Sequence, residues 1–438
     1  MNTDRRNSPV LTVARSSADV LNEACFCRTL NLNLLDRQFE RDPNLKGAMQ
    51  EMMRARPHLF SSTVVFLSAA MALRIGAVVR ACECIMALPG YRSQALARAP
   101  VIAQHALGPL GACMGFDFHL SASGPQLIEI NTNAGGVLLN LALARAQESC
   151  CREMDWAFPA RPSTDALEHT VFDMFRTEWR CQRGDTPLNS ILIVDDEPGE
   201  QYLAPEFQLF RQLFEGFGLQ AGIADPSALS WREGRLWHLD RPVAMVYNRL
   251  TDFYLAEPKH QALRHAYENG AVVLTPHPRA HALYADKRNL IALSQDELLA
   301  SWGASTSDRK LLAASVPTTR LVTLERANAL WSTRRQLFFK PAAGFGAKAA
   351  YRGDKLTHRV WAEILAGDFV AQALVPPTER LIEVDGVPTD LKFDIRAYTY
   401  AGKVQLLAAR MYSGQTTNFR TQGGGFAPVL VLPPGDSH

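Results

Sequence analysis

The chain has 438 residues, of which 47% are hydrophobic and 21% charged, with eight cysteines and a net charge of +2. That composition is globular, and the length allows two or three domains with sizeable cores. The near-neutral balance provides no electrostatic footprint for nucleic acid or acidic lipid, so neither is expected as a partner.

The opening "MNTDRRNSPVLTVARSS" lacks the apolar core of a signal peptide. Residues 1–60 read as a mixed, partly helical extension. The most apolar stretch, residues 62–88, is interrupted by Arg74, Arg80 and Glu83, so a buried helix is expected there rather than a membrane span. All eight cysteines precede residue 182, and none has the C-x2-C spacing of a zinc site. Reduced cysteines packed as small hydrophobes, in a cytoplasmic protein, are the simplest reading.

Strands are expected at "MGFDFHL" (114–120) and "QLIEINTN" (126–133), followed by helices over 136–151 and 163–180. From residue 186 strands alternate with a helix: "SILIVDD" (190–196), a helix near 205–216, "QAGIAD", and "VAMVYNRL" (243–250), with a hairpin "REGRLWHL" inserted. This pattern marks an α/β unit with a parallel sheet. "ILIVDDEPGE" also resembles the first strand of a response-regulator receiver, but no matching later Lys follows Asp252. Beyond residue 286 come a helical segment, a strand "QLFFKPA" with a glycine loop, a strand "FVAQALV", and an antiparallel run "DIRAYTYAGKVQLLAARMY".

Three stretches carry chemistry. In "GFDFHLSASGPQLIEIN" a hairpin centred on Ser123 places Asp117 opposite Glu129, with Asn131 on the same face. Facing acids repel, and a divalent cation would reverse the sign. Mg2+ suits such oxygen ligands, and the following "NAGG" would let backbone approach a ligand closely. In "LFFKPAAGFGAKAAYRG" a strand delivers Lys340, and Gly344 and Gly346 allow a loop to fold over phosphates. It matches neither the G-x4-G-K-[ST] loop nor G-x-G-x-x-G. Lys287 opens a helix upstream, and Gln372 on "FVAQALV" could read a purine edge. In "FDIRAYTYAGKVQLLAARMYSGQTTNFRTQGGG" Asp394 and Arg396 share a strand face, Arg410 closes the next strand and Arg420 lies in a loop. Arginines near a metal site would steady a transferring phosphoryl group. Arg249, His277 and Arg279 lie in the α/β unit as candidates for gripping an anionic substrate. A zinc pair of His277 and His281 is rejected because the intervening Pro disfavours a regular helix.

Taken in series, these motifs resemble the ATP-grasp ligases, especially glutathione synthetase and the ribosomal protein glutamate ligases. The resemblance rests on "DK" (286–287), "P-T" (317–318), "KP" with its glycine loop, the Gln372 hinge, "D-I-R", the strand ending at Arg410, "N-F-R-T…GGG", and "D…E-I-N". It implies an α/β chain of α+β lobes, an ATP-grasp fold behind a Rossmann-like α/β domain. Because E-I-N usually comes last and here precedes everything, the implied order is circularly permuted. The divisions would be residues 61–185 for the transposed part of the large lobe with its metal hairpin, 186–285 for the substrate domain, 286–370 for the small lobe, and 371–438 for the rest of the large lobe.

By that resemblance Lys287 and Lys340 hold ATP phosphates, and the Gly344–Gly346 loop covers them. Gln372, Ala373 and Leu374 line the adenine pocket, and Asp394 contacts ribose or organises the arginines. Asp117, Glu129 and Asn131 bind Mg2+, expected as two ions, while Arg410 and Arg420 steady an acyl phosphate. Arg249, His277, Arg279 and Arg396 contact small-molecule or peptide substrates. The "RTQGGG" segment lacks the family's Asn, leaving Gln422 or Asn418 in its place. The implied activity is carboxylate–amine ligation through an acyl phosphate, releasing ADP and phosphate. The alternatives are an ATP-binding interaction protein without activity and a phosphotransferase using the same site.

Overall fold

The computed structural model describes residues 16–39, 47–148, 164–344 and 349–433. Among them the strands in chain order are β1 (Val65–Ser68), β2 (Met114–Ser121), β3 (Gly124–Asn131), β4 (Ser190–Val194), β5 (Gln220–Ala224), β6 (Leu229–Arg232), β7 (Arg235–His238), β8 (Arg241–Pro242) and β9 (Met245–Asn248). They continue with β10 (Val273–Thr275), β11 (Thr319–Leu321), β12 (Leu337–Pro341), β13 (Tyr351–Arg352), β14 (Phe369–Ala373), β15 (Thr378–Val384), β16 (Val387–Tyr400), β17 (Lys403–Tyr412) and β18 (Gly425–Leu432).

The large sheet runs β1-β18-β17-β16-β2-β3, with β15 also paired to β16. It joins residues from the first third of the chain to residues from its last sixth. β1 lies parallel to β18, with Val65 beside Val429, and β2 lies antiparallel to β16. Strands β15 and β2 share one edge of β16 end to end, pairing with residues 387–393 and 395–399 respectively. The hairpin of residues 114–131 therefore sits inside the sheet built by the C-terminal strands.

The stretch 62–88 departs from the expected single helix. Its segment "VFLS" becomes β1, and the helix begins only at Ala69, with Ser68 capping Met71 N–H. The helix Ala69–Ala87 buries Ile75, Val78, Val79, Cys82, Ile85 and Met86 at a spacing of three and four residues, laying one face on the large sheet. Leu73, on its outer face, is 74% exposed, so the segment is amphipathic rather than wholly buried. No described helix is long and apolar enough to cross a membrane.

The α/β unit forms a parallel sheet in the order β10-β9-β4-β5, with helix Ala204–Gly216 on one face. Phe175 of helix Thr164–Arg183 packs against Phe210, Phe214 and Tyr247, filling the space between that sheet and Tyr398 of the large one. A fourth, antiparallel sheet, β11-β14-β12-β13, makes the small lobe around Phe339 and Trp361. The helical segment after Asp286 is broken into Asn289–Leu293 and Asp296–Ser301. Residues 16–39 and 47–60 are partly helical, as expected.

Cys25, Cys82, Cys84, Cys113 and Cys181 are free. Cys27 is disulfide-bonded, which corrects the expectation of uniformly reduced cysteines and weighs against the cytoplasmic reading. Cys150 and Cys151 lie outside the described residues.

Glycine matters most where β18 begins. Gly425 has φ +105°, and a Cβ there would stand 2.5 Å from the His58 carbonyl oxygen. Next door Phe426 N–H donates to the Leu59 carbonyl at 2.8 Å. Gly425→Ala is expected to lower stability by about 2 kcal/mol or more, from left-handed strain and a backbone clash that cannot relax. An unchanged thermal midpoint would show that this junction tolerates displacement.

Candidate active site at the sheet–lobe junction

The expected opposition of Asp117 to Glu129 is present, but a bulge between Asp117 and Phe118 produces it: the hairpin is centred between Ala122 and Ser123 rather than on Ser123, so Phe118 faces Leu127, and Leu127 rather than Ile128 enters the core. Asn131 shares their face and donates its Nδ2 to Asp117 Oδ2 at 3.0 Å. Phe116, Phe118 and Ile130 fill the core on the other face.

Side chains relieve the repulsion between the facing acids. On β16, Arg396 lies directly across from Asp117 and grips it in bidentate fashion, Nε to Oδ1 and Nη2 to Oδ2, both at 2.7 Å. Arg410 adds Nη2 to Oδ2 at 2.8 Å, while its Nε donates to Asp394 Oδ1 at 2.7 Å across the β16–β17 pair. Burial raises the Asp117 carboxyl, but Arg396 and then Arg410 hold it below the usual carboxylate range. Asp394 also accepts from Thr417 Oγ1 at 2.5 Å, so it organises the arginines and their loop.

Glu129 is neutralised from the other lobe. Lys287 Nζ lies 3.1 Å from Glu129 Oε1 and donates to the Gly344 carbonyl at 2.7 Å. Lys340, delivered by β12, donates its Nζ to the Ile128 carbonyl at 2.9 Å and to Gln372 Oε1 at 3.0 Å. Burial would raise the Glu129 carboxyl, yet Lys287 and Lys340 pull it down. Burial pushes the Lys340 ammonium down to about 8, partly offset by Glu129. The cluster thus holds four cations (Lys287, Lys340, Arg396, Arg410) against three carboxylates (Asp117, Glu129, Asp394), a net +1 that an added polyanion would balance.

Several expected contacts are already committed elsewhere. The Gln372 amide serves Lys340 and Thr319 rather than an open purine edge. The N–H groups of Ala373 and Leu374 are donated to the carbonyls of Thr318 and Gln336 inside the small lobe. His277 caps a short turn through Nδ1, accepting from Ala280 N–H, and donates Nε2–H to the Pro109 carbonyl at 2.9 Å. Its ring is buried, which pushes its pKa down to about 4, and neither nitrogen is left for a substrate. Arg279 binds the carbonyls of Ala103 and Gln104, at 3.4 and 3.2 Å. Asn418 braces its own loop through Ser413, Thr416, Arg420 N–H and Thr421, while Gln422 donates to Asp385 on the β15–β16 turn at 2.5 Å. The Arg420 side chain is exposed. Gly346 lies outside the described residues.

The "NAGG" glycines serve packing rather than close ligand approach. A Cβ on Gly135 would stand 2.3 Å from Leu203 and 2.7 Å from Arg249 Nη2, and one on Gly136 2.4 Å from Phe426. The N-terminus of helix Val137–Arg145 is filled by the buried Glu206 carboxylate, which accepts from Gly136 and Leu138 N–H at 2.7 and 3.1 Å. Arg249 reaches this loop, donating Nη1 to the Asn133 carbonyl at 2.9 Å, and its buried Nε has no partner among the described residues. Asp195, at the end of β4, was missed in the sequence. Burial raises its carboxyl to about 7, with Arg249 lowering it. Its position just after a parallel strand is the signal that could have found it.

Asp117→Asn would leave two buried guanidinium groups facing a neutral amide. An apparent stability loss of about 3–5 kcal/mol is expected, read from the shift in denaturant midpoint. The depressed carboxyls of Asp117 and Glu129 contribute stability fully present above their unfolded values (3.8 and 4.5) and lost as pH falls through the folded ones. A mutant as acid-resistant as wild type, with an unmoved midpoint, would remove Asp117 from this role.

No protein-family model matches the chain, and no curated protein matches it either. Among solved structures, a glutathione synthetase-like effector from Globodera pallida aligns over 90% of this chain and 98% of its own, at 13% identity and a TM-score of 0.54. A putative gamma-glutamylcysteine synthetase from Methylobacillus flagellatus aligns over 81% and 85%, at 8% identity and a TM-score of 0.43. The ATP-grasp ligase PsnB, complexed with a minimal precursor, aligns over 56% of this chain and 90% of its own, at 13% identity and 0.29. The chain therefore shares the fold of the glutathione synthetase-like effector.

Proposed function

We propose that the protein is an ATP-dependent carboxylate–amine ligase acting through an acyl phosphate. The observation that carries this reading is the convergence of Lys287 and Lys340 on Glu129. Lys287 pairs with Glu129 while Lys340 anchors to the neighbouring Ile128 carbonyl, so two ammonium groups from far along the chain reach one hairpin strand beside an arginine-held acid. A buried cluster of net positive charge favours a polyphosphate, and excess cations near the reacting oxygens stabilise charge in phosphoryl transfer. The likeness to ligase folds supports the same reading.

The donor set fits Mg2+ at Glu129 and Asn131. Asn131 spends its Nδ2 on Asp117, which leaves the amide oxygen as an acceptor, the ligand type that a hard cation takes. Asp117 Oδ2 already accepts three hydrogen bonds, so its share in binding an ion would come from Oδ1. Magnesium would supply charge neutralisation between phosphate oxygens. The protein's own residues then divide the remaining work. Lys287 and Lys340 grip phosphate oxygens. Arg410 steadies the transferring group while Asp394 holds its guanidinium in place. Arg249, with its unpartnered Nε at the strand ends of the α/β unit, grips an anionic substrate carboxylate. The early position of the D…E-I-N hairpin corresponds to a circularly permuted order.

An ADP-release screen against amino acids, dipeptides and polyamines with Mg2+, alongside hydroxamate trapping of the activated acid, tests the proposal. Glu129→Gln is expected to reduce turnover by about 100-fold or more with the fold intact; unchanged ADP release would defeat the assignment. Lys340→Ala should weaken nucleotide binding in calorimetry. In the wild type, affinity should decline as pH rises past about 8, where this ammonium loses its proton. Affinity that is the same in the variant and flat with pH would take Lys340 off the phosphates.

A further inference from the structure

The loops that leave the ends of β4 and β9 meet beside Asp195 and Arg249, and Arg249 N–H bonds the Val194 carbonyl at 2.8 Å. One buried side chain ties these loops together away from the nucleotide cluster. His260 has no exposed side-chain surface, and its two ring nitrogens face two carboxylates: Nδ1 is 2.8 Å from Asp252 Oδ2, and Nε2 is 3.0 Å from Asp196 Oδ1. Ionised carboxylates only accept, and a neutral imidazole has one N–H. With a neutral ring, one contact would set a nitrogen lone pair against a carboxylate oxygen. Only the imidazolium satisfies both.

The surroundings agree. Lys259 Nζ lies 2.9 Å from Asp196 and 3.4 Å from Glu257, so the gap between those carboxylates already holds a cation of the chain's own. Asp252 also accepts Glu257 N–H at 2.8 Å, and Asp225 accepts Glu197 N–H at 2.8 Å. Asp196, Asp252 and Glu257 bring three negative charges and Lys259 one positive, so the cluster stands at −2 with a neutral ring and −1 with a charged one. Burial lowers the His260 pKa, but the hydrogen bonds to Asp252 and Asp196 outweigh it and the net direction is upward. Asp252 is correspondingly pushed down to about 2, burial being outweighed by its hydrogen bonds to His260 and to backbone N–H groups.

We propose that His260 works as an imidazolium clamp across the two strand-end loops, and that its deprotonation at alkaline pH frees the corner where Asp195 and Arg249 meet. A group whose folded pKa is raised contributes stability fully present below its unfolded value, about 6.5. That stability is lost as pH rises through the folded pKa. The clamp would therefore hold below the folded pKa of His260 and loosen as pH rises above it.

The test uses the full-length protein, without any substrate. A histidine ring NMR titration, with His260→Gln identifying the signal, should show His260 titrating above the ordinary histidine value. Asp252→Asn and Asp196→Asn should each shift that midpoint downward. The wild-type melting temperature should fall as pH rises through the midpoint, and His260→Gln should flatten that fall. A wild-type midpoint at or below about 6.5, or one unmoved by either Asn variant, overturns the clamp. The link to substrate rests on the ligase reading, in which Arg249 grips the acid: KM for the acid should rise several-fold over the same pH interval in the wild type and much less in His260→Gln. An acid KM that stays flat while His260 visibly titrates overturns the coupling. Complete absence of ligation defeats the ligase reading and leaves the NMR and melting results to decide the clamp.

Discussion

The structure depends on one bidentate ion pair between Asp117 of an early hairpin and Arg396 of a late strand. The two residues lie directly opposite across β2 and β16, 279 positions apart in sequence. A carboxylate so deeply buried would be too costly alone, and the two guanidinium groups that meet it would be as costly without it. Each partner therefore requires the other strand to be in register. The pair compensates burial and also specifies how the hairpin docks, because a shift of one residue would turn Asp117 into the apolar core beside Phe116 and Phe118.

From that pair the site spreads in both directions. On one side Arg410 passes the charge on to Asp394, whose second oxygen holds Thr417 and with it the start of the loop leading to β18. On the other side Glu129, placed by the hairpin register, receives Lys287, and Lys340 ties the small lobe to the hairpin through the Ile128 carbonyl. Charged hydrogen bonds from Lys287 and Lys340 thus reach the hairpin beside an apolar seam, in which Leu290, Leu293, Leu312 and Val316 pack into the core of the large sheet.

The α/β unit follows a different logic. Its connection to the large sheet is aromatic and apolar, through Phe175, Phe210, Tyr247 and Tyr398. The strand ends nevertheless concentrate ionisable groups. Glu206 caps a helix, Arg249 spans to the glycine loop, Asp195 sits beside it, and His260 crosses between two acids. The strand-end edge of this unit is thus set by electrostatics on an apolar base.

Much of this was legible in the residues alone. Alternation in "GFDFHL" and "LIEIN" showed which side chains point together, because strand periodicity is local, but the opposition of Asp117 to Glu129 depends on a bulge after Asp117, without which the turn would set Ile128 opposite it. The parallel α/β unit was equally legible from its alternating apolar runs. What the chain could not disclose locally was which charges meet. Asp117 and Glu129 looked like a pair in need of a cation, yet Arg396, Arg410 and Lys287 neutralise them from positions hundreds of residues away. His277 and Gln372 looked free to bind ligands, yet Pro109 and Lys340 occupy them. The strand character of residues 65–68 likewise emerged only through pairing with β18. Side-chain direction is a property of neighbouring backbone, and so it is written in the sequence. The occupancy of a polar atom depends on whatever the fold brings against it, and only the tertiary structure decides that.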